Sequence, residues 1–332
     1  MRRIPLRNKI IGILLILFVA VNFIPSQYFL SEPGPAIDLS EMITVEDGYN
    51  DDDWGGFYLT SVSQRRASFW DVATFYLFPS ENKELTSVRA AMPPGMSETE
   101  YLNLMHELMV ESQLSAQAVA YRELGYDVEM RGEGVKVVDL VAGGQAEDIL
   151  EPDDIIIKID DREVELASQA VELIKSYPIG TELVVQVKRD EEILDFEITT
   201  AEHPEEAGRS SLGIYITTAG LDYAMPDYVS FSSENIVGPS AGVMFSLEVY
   251  NQLTEEDITR GERYAGTGTI NFDGEIGRVG GERLKIIAAD QAGIATFILP
   301  EEHGVGLDNL GLEIGIIESP DFRDLLDQLN VQ

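Results

Sequence analysis

The stretch NIVGPSAGVMFSLEVYNQL, residues 235–253, places one serine at the head of an apolar run that reads as a helix. Ser240 follows Gly238 and Pro239 and precedes Ala241 and Gly242, so small neighbours let a substrate backbone approach the hydroxyl. A helix N-terminus presents N–H groups without intrahelical partners, and these can hold an oxyanion. Taken alone, the stretch also reads as a serine that caps its helix.

Downstream, AGTGTINFDGEIGRVGGERLKIIAADQAGIATFILPEE (265–302) contains Lys285, the only lysine after Lys188, although seven arginines fall in the same span. Lysine can lose its proton at a workable cost, and arginine cannot. Leu284, Ile286 and Ile287 flank Lys285, and an apolar setting lowers an amine pKa by desolvation. A neutral amine can take the proton of a serine hydroxyl. The other reading of Lys285 is a side chain that snorkels from a helix face to water.

Composition narrows the alternatives. With 59 acidic and 23 basic residues the formal charge is −36, which argues against nucleic acid, whose phosphates need a basic face. The chain has no cysteine, which excludes disulfides, thiolate metal sites and a cysteine nucleophile. The histidines are His106, His203 and His303, and none sits in a motif that would support a Ser-His-Asp triad. No G-x-x-x-x-G-K-[ST] motif occurs, so no ATP site and no other cofactor or metal is expected. At the N-terminus, Arg2, Arg3, Arg7 and Lys9 precede an apolar run from Ile10 to about Leu30. Its length suits a transmembrane helix, with the basic end cytoplasmic and the rest of the chain outside. A cleaved signal peptide is the rival reading, and no A-x-A site follows the run.

Between these ends, residues 32–54 read as an acidic linker, with Pro33, Gly34 and Pro35 followed by EDGYNDDD. FYLTSVS and ATFYLF read as strands in 55–85. Residues 98–124 read as an amphipathic helix through Leu104, Leu108, Val110, Leu114, Ala118 and Tyr121, capped by Gly125. Residues 127–201 form a compact β-rich unit with one short helix near 168–176, closed by the polar linker AEHPEEAGRSS. From 212 on, strands and helices alternate, beginning with GIYITTA.

GPSAG at Gly238–Gly242, the TGTI hairpin at Thr267–Ile270, the pair Gly280–Gly281 and Lys285 four residues after the second glycine together resemble the proteolytic domain of Lon, an endopeptidase with a Ser-Lys dyad. ESQLSAQAVAYRELG (111–125) resembles the helix ahead of the Lon serine, and the β-rich unit, with GVKVVDLV and LEPDDIIIKIDDREV, resembles a PDZ domain. The layout is similar to PDZ-containing, Lon-like membrane proteases of Gram-positive bacteria. The resemblance implies an α+β (α/β-like) Lon-type proteolytic domain in two parts, 55–126 and 203–332, around a PDZ domain at 127–202. One transmembrane anchor within 1–31 precedes them. It implies Ser240 as nucleophile, Lys285 as general base, Thr267 as the residue that orients the amine, and Gly238, Pro239 and Gly242 as the frame of the oxyanion site. The PDZ part implies a peptide groove, set at Gly134, Val135 and Val137 behind the loop RGEGV. Implied partners are a protein or peptide substrate, the membrane and further copies in a homo-oligomer. The alternative is a scaffold that binds partners through its PDZ unit without cutting. Three positions depart from the pattern: Val237 stands where Lon has an acidic residue, and Asp153 and Asp161 replace glycines common in PDZ turns.

Overall fold

Apolar-polar alternation extends the segment after Gly55 into a long strand, and that strand organises the first half of the fold. The computed structural model describes residues 25–51, 54–92, 96–203, 208–226, 228–232, 236–301 and 311–331. β1 (Pro25–Asp38) pairs antiparallel with β2 (Gly56–Ser68). After β2 come helix α1 (Phe69–Leu77), strand β3 (Glu84–Ser87) and the long helix α2 (Glu98–Glu123). The inserted unit follows: β4 (Gly134–Leu140), β5 (Ile155–Ile159), α3 (Ala167–Lys175), β6 (Glu182–Arg189), β7 (Glu192–Thr199) and β8 (Ile214–Ala219). The chain then runs through α4 (Gly242–Leu253), β9 (Arg263–Gly266), α5 (Glu282–Gln291), β10 (Thr296–Pro300), β11 (Gly315–Ser319) and α6 (Phe322–Val331).

The first sheet has the order β11-β10-β9-β2-β1-β3, parallel from β11 to β2 and antiparallel across β2-β1-β3. Its core gathers on α4, whose residues Gly242 to Val249 are all buried. A helix that is apolar on every face belongs inside a fold, and here that places the head of α4 at the centre of the domain. The second sheet has the order β7-β6-β5-β4-β8 and closes its own core over α3, with Val135, Val137, Ile156, Val185 and Ile174 inside.

Several expectations change against this architecture. The linker at 32–54 is not a stalk: its start, up to Asp38, is β1, and Leu39, Met42, Ile43 and Val45 are buried. The Pro33–Pro35 segment fits a strand because the register shifts between Pro33 and Ala36, a bulge that removes the need for a ladder N–H there. A Cβ on Gly34 would lie 2.4 Å from Ser61 Oγ, so that close strand approach requires glycine. ATFYLF is helical, because Ser68 and Asp71 form a capping box that starts α1. GIYITTA, expected in the catalytic part, is β8 and pairs with β4, which extends the inserted unit past residue 202. The polar linker that follows β7 folds back as a short pair, Ala201–Glu202 with Ser210–Ser211. In α2, Met109 rather than Val110 turns inward.

The apolar run Ile10–Ile24 and His303 lie outside the described residues. Among the described residues no helix is long and apolar enough to cross a membrane. The last part of the expected anchor, from Pro25 to Leu30, is strand, and Leu30 is 1% exposed.

Candidate active site

Ser240 stands in the turn that leads into α4, and the turn is held on both sides. Gly238 has φ +92°, a conformation that side chains rarely adopt, and its N–H donates to Met105 O of α2 at 2.9 Å. Ser112 Oγ, also on α2, donates to Pro239 O at 3.1 Å. A Cβ on Gly242 would meet Ser112 Oγ at 2.8 Å and Ile270 N at 2.9 Å, so glycine lets α4, α2 and the Thr269–Ile270 strand close together. Gly268 N and Thr267 Oγ1 both donate to Ser240 O, at 3.0 and 2.9 Å.

Lys285 enters from α5, which starts at Gly281 in the left-handed conformation. Lys285 N donates to Gly281 O, and the side chain runs inward from the first turns of the helix to a site 5% exposed. Its Nζ lies 2.9 Å from Ser240 Oγ and 2.8 Å from Thr267 Oγ1. Because the Thr267 hydroxyl hydrogen is committed to Ser240 O, its oxygen accepts from the amine and fixes the amine's direction. Burial pulls the lysine pKa down to about 8, opposed in part by the Glu282 charge. Val237, at the position where a carboxylate was expected, is an exposed apolar side chain.

The structure therefore brings together Ser240, Lys285 and Thr267, framed by Gly238, Pro239 and Gly242. It does not bring Gly134, Val135 and Val137 to a groove. β4 is paired on both edges, by β8 and β5, and Val135 and Val137 are fully buried, so no peptide can add there. The free edge of this sheet next to a helix is that of β8. Between β8 and α3 lies a hollow of about 200 Å³ lined by Val171, Ile174, Leu212, Ile214 and Ile216. Pairing order was not readable from the strand sequences, although SLGIYITT, a short glycine turn leading into a β-branched strand, carried the signal.

A second hollow of about 680 Å³ shares the lining residues Val171, Arg209 and Ile216 with the first and is also lined by Pro239, Thr269 and Ile270. One hydrogen-bond chain ties the two units there. The N–H of Ala167, the first residue of α3, donates to Thr218 Oγ1 at 3.1 Å, and the Thr218 hydroxyl donates to Glu111 Oε1 at 2.8 Å. Glu111 neighbours Ser112, the residue that holds Pro239.

Residues 234–315 match the family described as the Lon protease (S16) C-terminal proteolytic domain, and residues 123–200 match the PDZ domain. The chain therefore carries a PDZ domain and a serine-peptidase domain of the Lon type. It is 36% identical over 77 residues to a Lon protease from Fusobacterium nucleatum, covering 23% of this chain and 10% of that one. It is 33% identical over 92 residues to a Lon protease from Halothermothrix orenii, covering 28% of this chain and 12% of that one. The chain thus spans about a tenth of the length of these curated relatives. Among solved structures, the PDZ domain of an SdrC-like protein from Listeria monocytogenes aligns at 21% identity with a TM-score of 0.24. It covers 25% of this chain and 87% of that one.

Proposed function

We propose that this protein is an ATP-independent serine endopeptidase that works by a Ser240–Lys285 dyad and is held at a membrane by its N-terminal apolar run. The observation that carries this reading is the amine of Lys285, 2.9 Å from Ser240 Oγ and 5% exposed. A dry lysine beside a serine hydroxyl is a general base rather than a surface cation. The neutral amine accepts the Ser240 proton as Oγ bonds to the scissile carbonyl carbon. The N–H groups of the turn that carries Ser240 serve the developing oxyanion, since those of Gly242 and Val243 at the head of α4 already donate to Pro239 O and Gly268 O. The ammonium then gives its proton to the leaving nitrogen as the C–N bond breaks, and a water deprotonated by the same amine releases the acyl group from Ser240. Thr267 orients the amine throughout.

Substrate, on this reading, enters as an extended peptide along β8, adding a strand to the open edge while α3 receives its apolar side chains. The second hollow, which shares Val171, Arg209 and Ile216 with that groove and is lined by Pro239 next to Ser240, supports delivery from the PDZ unit to the serine. Without an ATPase motif the enzyme takes segments that are already exposed. A fluorophosphonate probe tests the nucleophile. Mass spectrometry of the labelled full-length protein is expected to find the phosphonyl group on Ser240 and to lose it in Lys285→Met. Labelling of another serine, or equal labelling in Lys285→Met, sinks the dyad.

A further inference from the structure

Helix α1 is built from FWDVATFYL and followed by Phe78, yet none of its residues is buried. Phe78, Leu77 and Tyr76 are 73%, 71% and 69% exposed, above every other large apolar side chain described, and Phe69 is 56% exposed. A cluster of this kind on a water-facing helix marks an interaction surface. The helix is not a loose flap. Arg65 holds Asp71 through two hydrogen bonds of 2.8 and 2.7 Å, and the Ser68–Asp71 capping box fixes its start. Asp71 is engaged by Arg65, and the Thr74 hydroxyl donates back to Trp70 O at 2.8 Å. These side chains make an exposed apolar platform around the C-terminal end of α1.

Its position names the partner. β1 starts at Pro25, which pairs with Ser68, the cap of α1. The chain thus enters β1 from the apolar run Ile10–Ile24 next to Ser68, where α1 starts. In the sequence no polar spacer separates this run from β1, so an anchor there holds the folded domain close to the membrane. Aromatic side chains with one polar tip settle at the level of the lipid headgroups.

We propose that α1 and Phe78 lie in the interfacial layer of the lipid bilayer and fix the protease domain on the membrane surface. This rests on the reading of Ile10–Ile24 as a membrane anchor. With a net charge of −36 the rest of the molecule is repelled by anionic headgroups, so apolar and aromatic contact must carry the docking. Placing α1 in the interface orients β1 and β2 outward from the membrane.

The chain has no cysteine, so a single Leu77→Cys carries one nitroxide. The full-length protein is reconstituted into phosphatidylcholine vesicles, with Glu191→Cys in the β6-β7 turn as the water-facing control. Flotation reports anchoring, and collision of the label with oxygen against a water-soluble nickel chelate reports depth. The proposal predicts co-flotation, with the label at 77 favouring oxygen several-fold over the label at 191. Co-flotation with both labels equally open to nickel overturns the proposal and leaves the anchor standing. Dipolar broadening at 77 without protection from nickel assigns the platform to a second copy instead and also overturns it. Failure to float removes the anchor reading and the surface docking together.

Discussion

A lysine amine at 5% exposure carries a pH dependence of definite sign. Burial lowers the Lys285 pKa to about 8, so the neutral, proton-accepting form grows as pH rises through that value. The rate of cleavage at limiting substrate is expected to climb along a single limb centred near pH 8, and a flat profile from pH 6 to 9 counts against this lysine as the base. The same shift bears on folding. The charged amine is costly to bury, and that cost is present below pH 8 and lost as pH approaches the unfolded lysine value. Lys285→Met therefore abolishes cleavage, by on the order of 10³-fold or more, while its melting temperature at pH 7 stays at or above that of the wild type. Thr267 separates orientation from packing. Thr267→Ser keeps the hydroxyl between Lys285 Nζ and Ser240 O and retains most activity, whereas Thr267→Val is expected to lower kcat by roughly 10- to 100-fold with KM little changed. A fall in KM and kcat together, or an equal loss in Thr267→Ser, contradicts an orienting role.

Helices were more legible in the sequence than strand partners. The GPSAG and GGERLK spacings located Ser240 and Lys285, and the side-chain period of α2 is close to that observed, because local sequence decides where a helix starts and which face turns inward. Which strand stands at a sheet edge is decided by distant pairing. GVKVVDLV reads as a groove strand until β8 is seen to cover one edge and β5 the other. ATFYLF reads as a strand until the Ser68 cap is weighed, and the proline-bearing β1 reads as a linker until its bulge is seen. The corrected groove makes its own prediction. Val171→Asp puts a charge on the α3 wall and is expected to weaken cleavage of long unfolded proteins several-fold. Cleavage of short peptides that cannot span groove and serine should not change. Equal loss for both substrate types would mean that β8 and α3 do not dock substrate.

At the scale of the whole molecule, one buried carboxyl sits where the segment after β1 meets the core helix α4. Glu248 in the core helix α4 is 3% exposed and accepts from Gln252 Nε2 at 2.6 Å, while Gln252 also bonds to Ile43 O and Val45 N. Burial raises its pKa to about 7. Its neutral form stabilises the fold, fully below about pH 4.5 and progressively less as pH rises through 7. Glu248→Gln is expected to raise the melting temperature at pH 8 and to leave it nearly unchanged at pH 4.5. The opposite order would place the charge in contact with water. The Glu248 contribution to stability thus falls across the range of pH in which the dyad gains activity. The most direct test of the central claim uses the full-length protein, because β1 begins at Pro25 and a cut at residue 32 would remove half of it. Wild type, Ser240→Ala and Lys285→Met are incubated with an unfolded protein in the absence of ATP, and products are mapped by mass spectrometry. Cleavage by the wild type alone is the predicted result. Cleavage that persists in Ser240→Ala, or no cleavage by any of the three, contradicts an ATP-independent dyad protease.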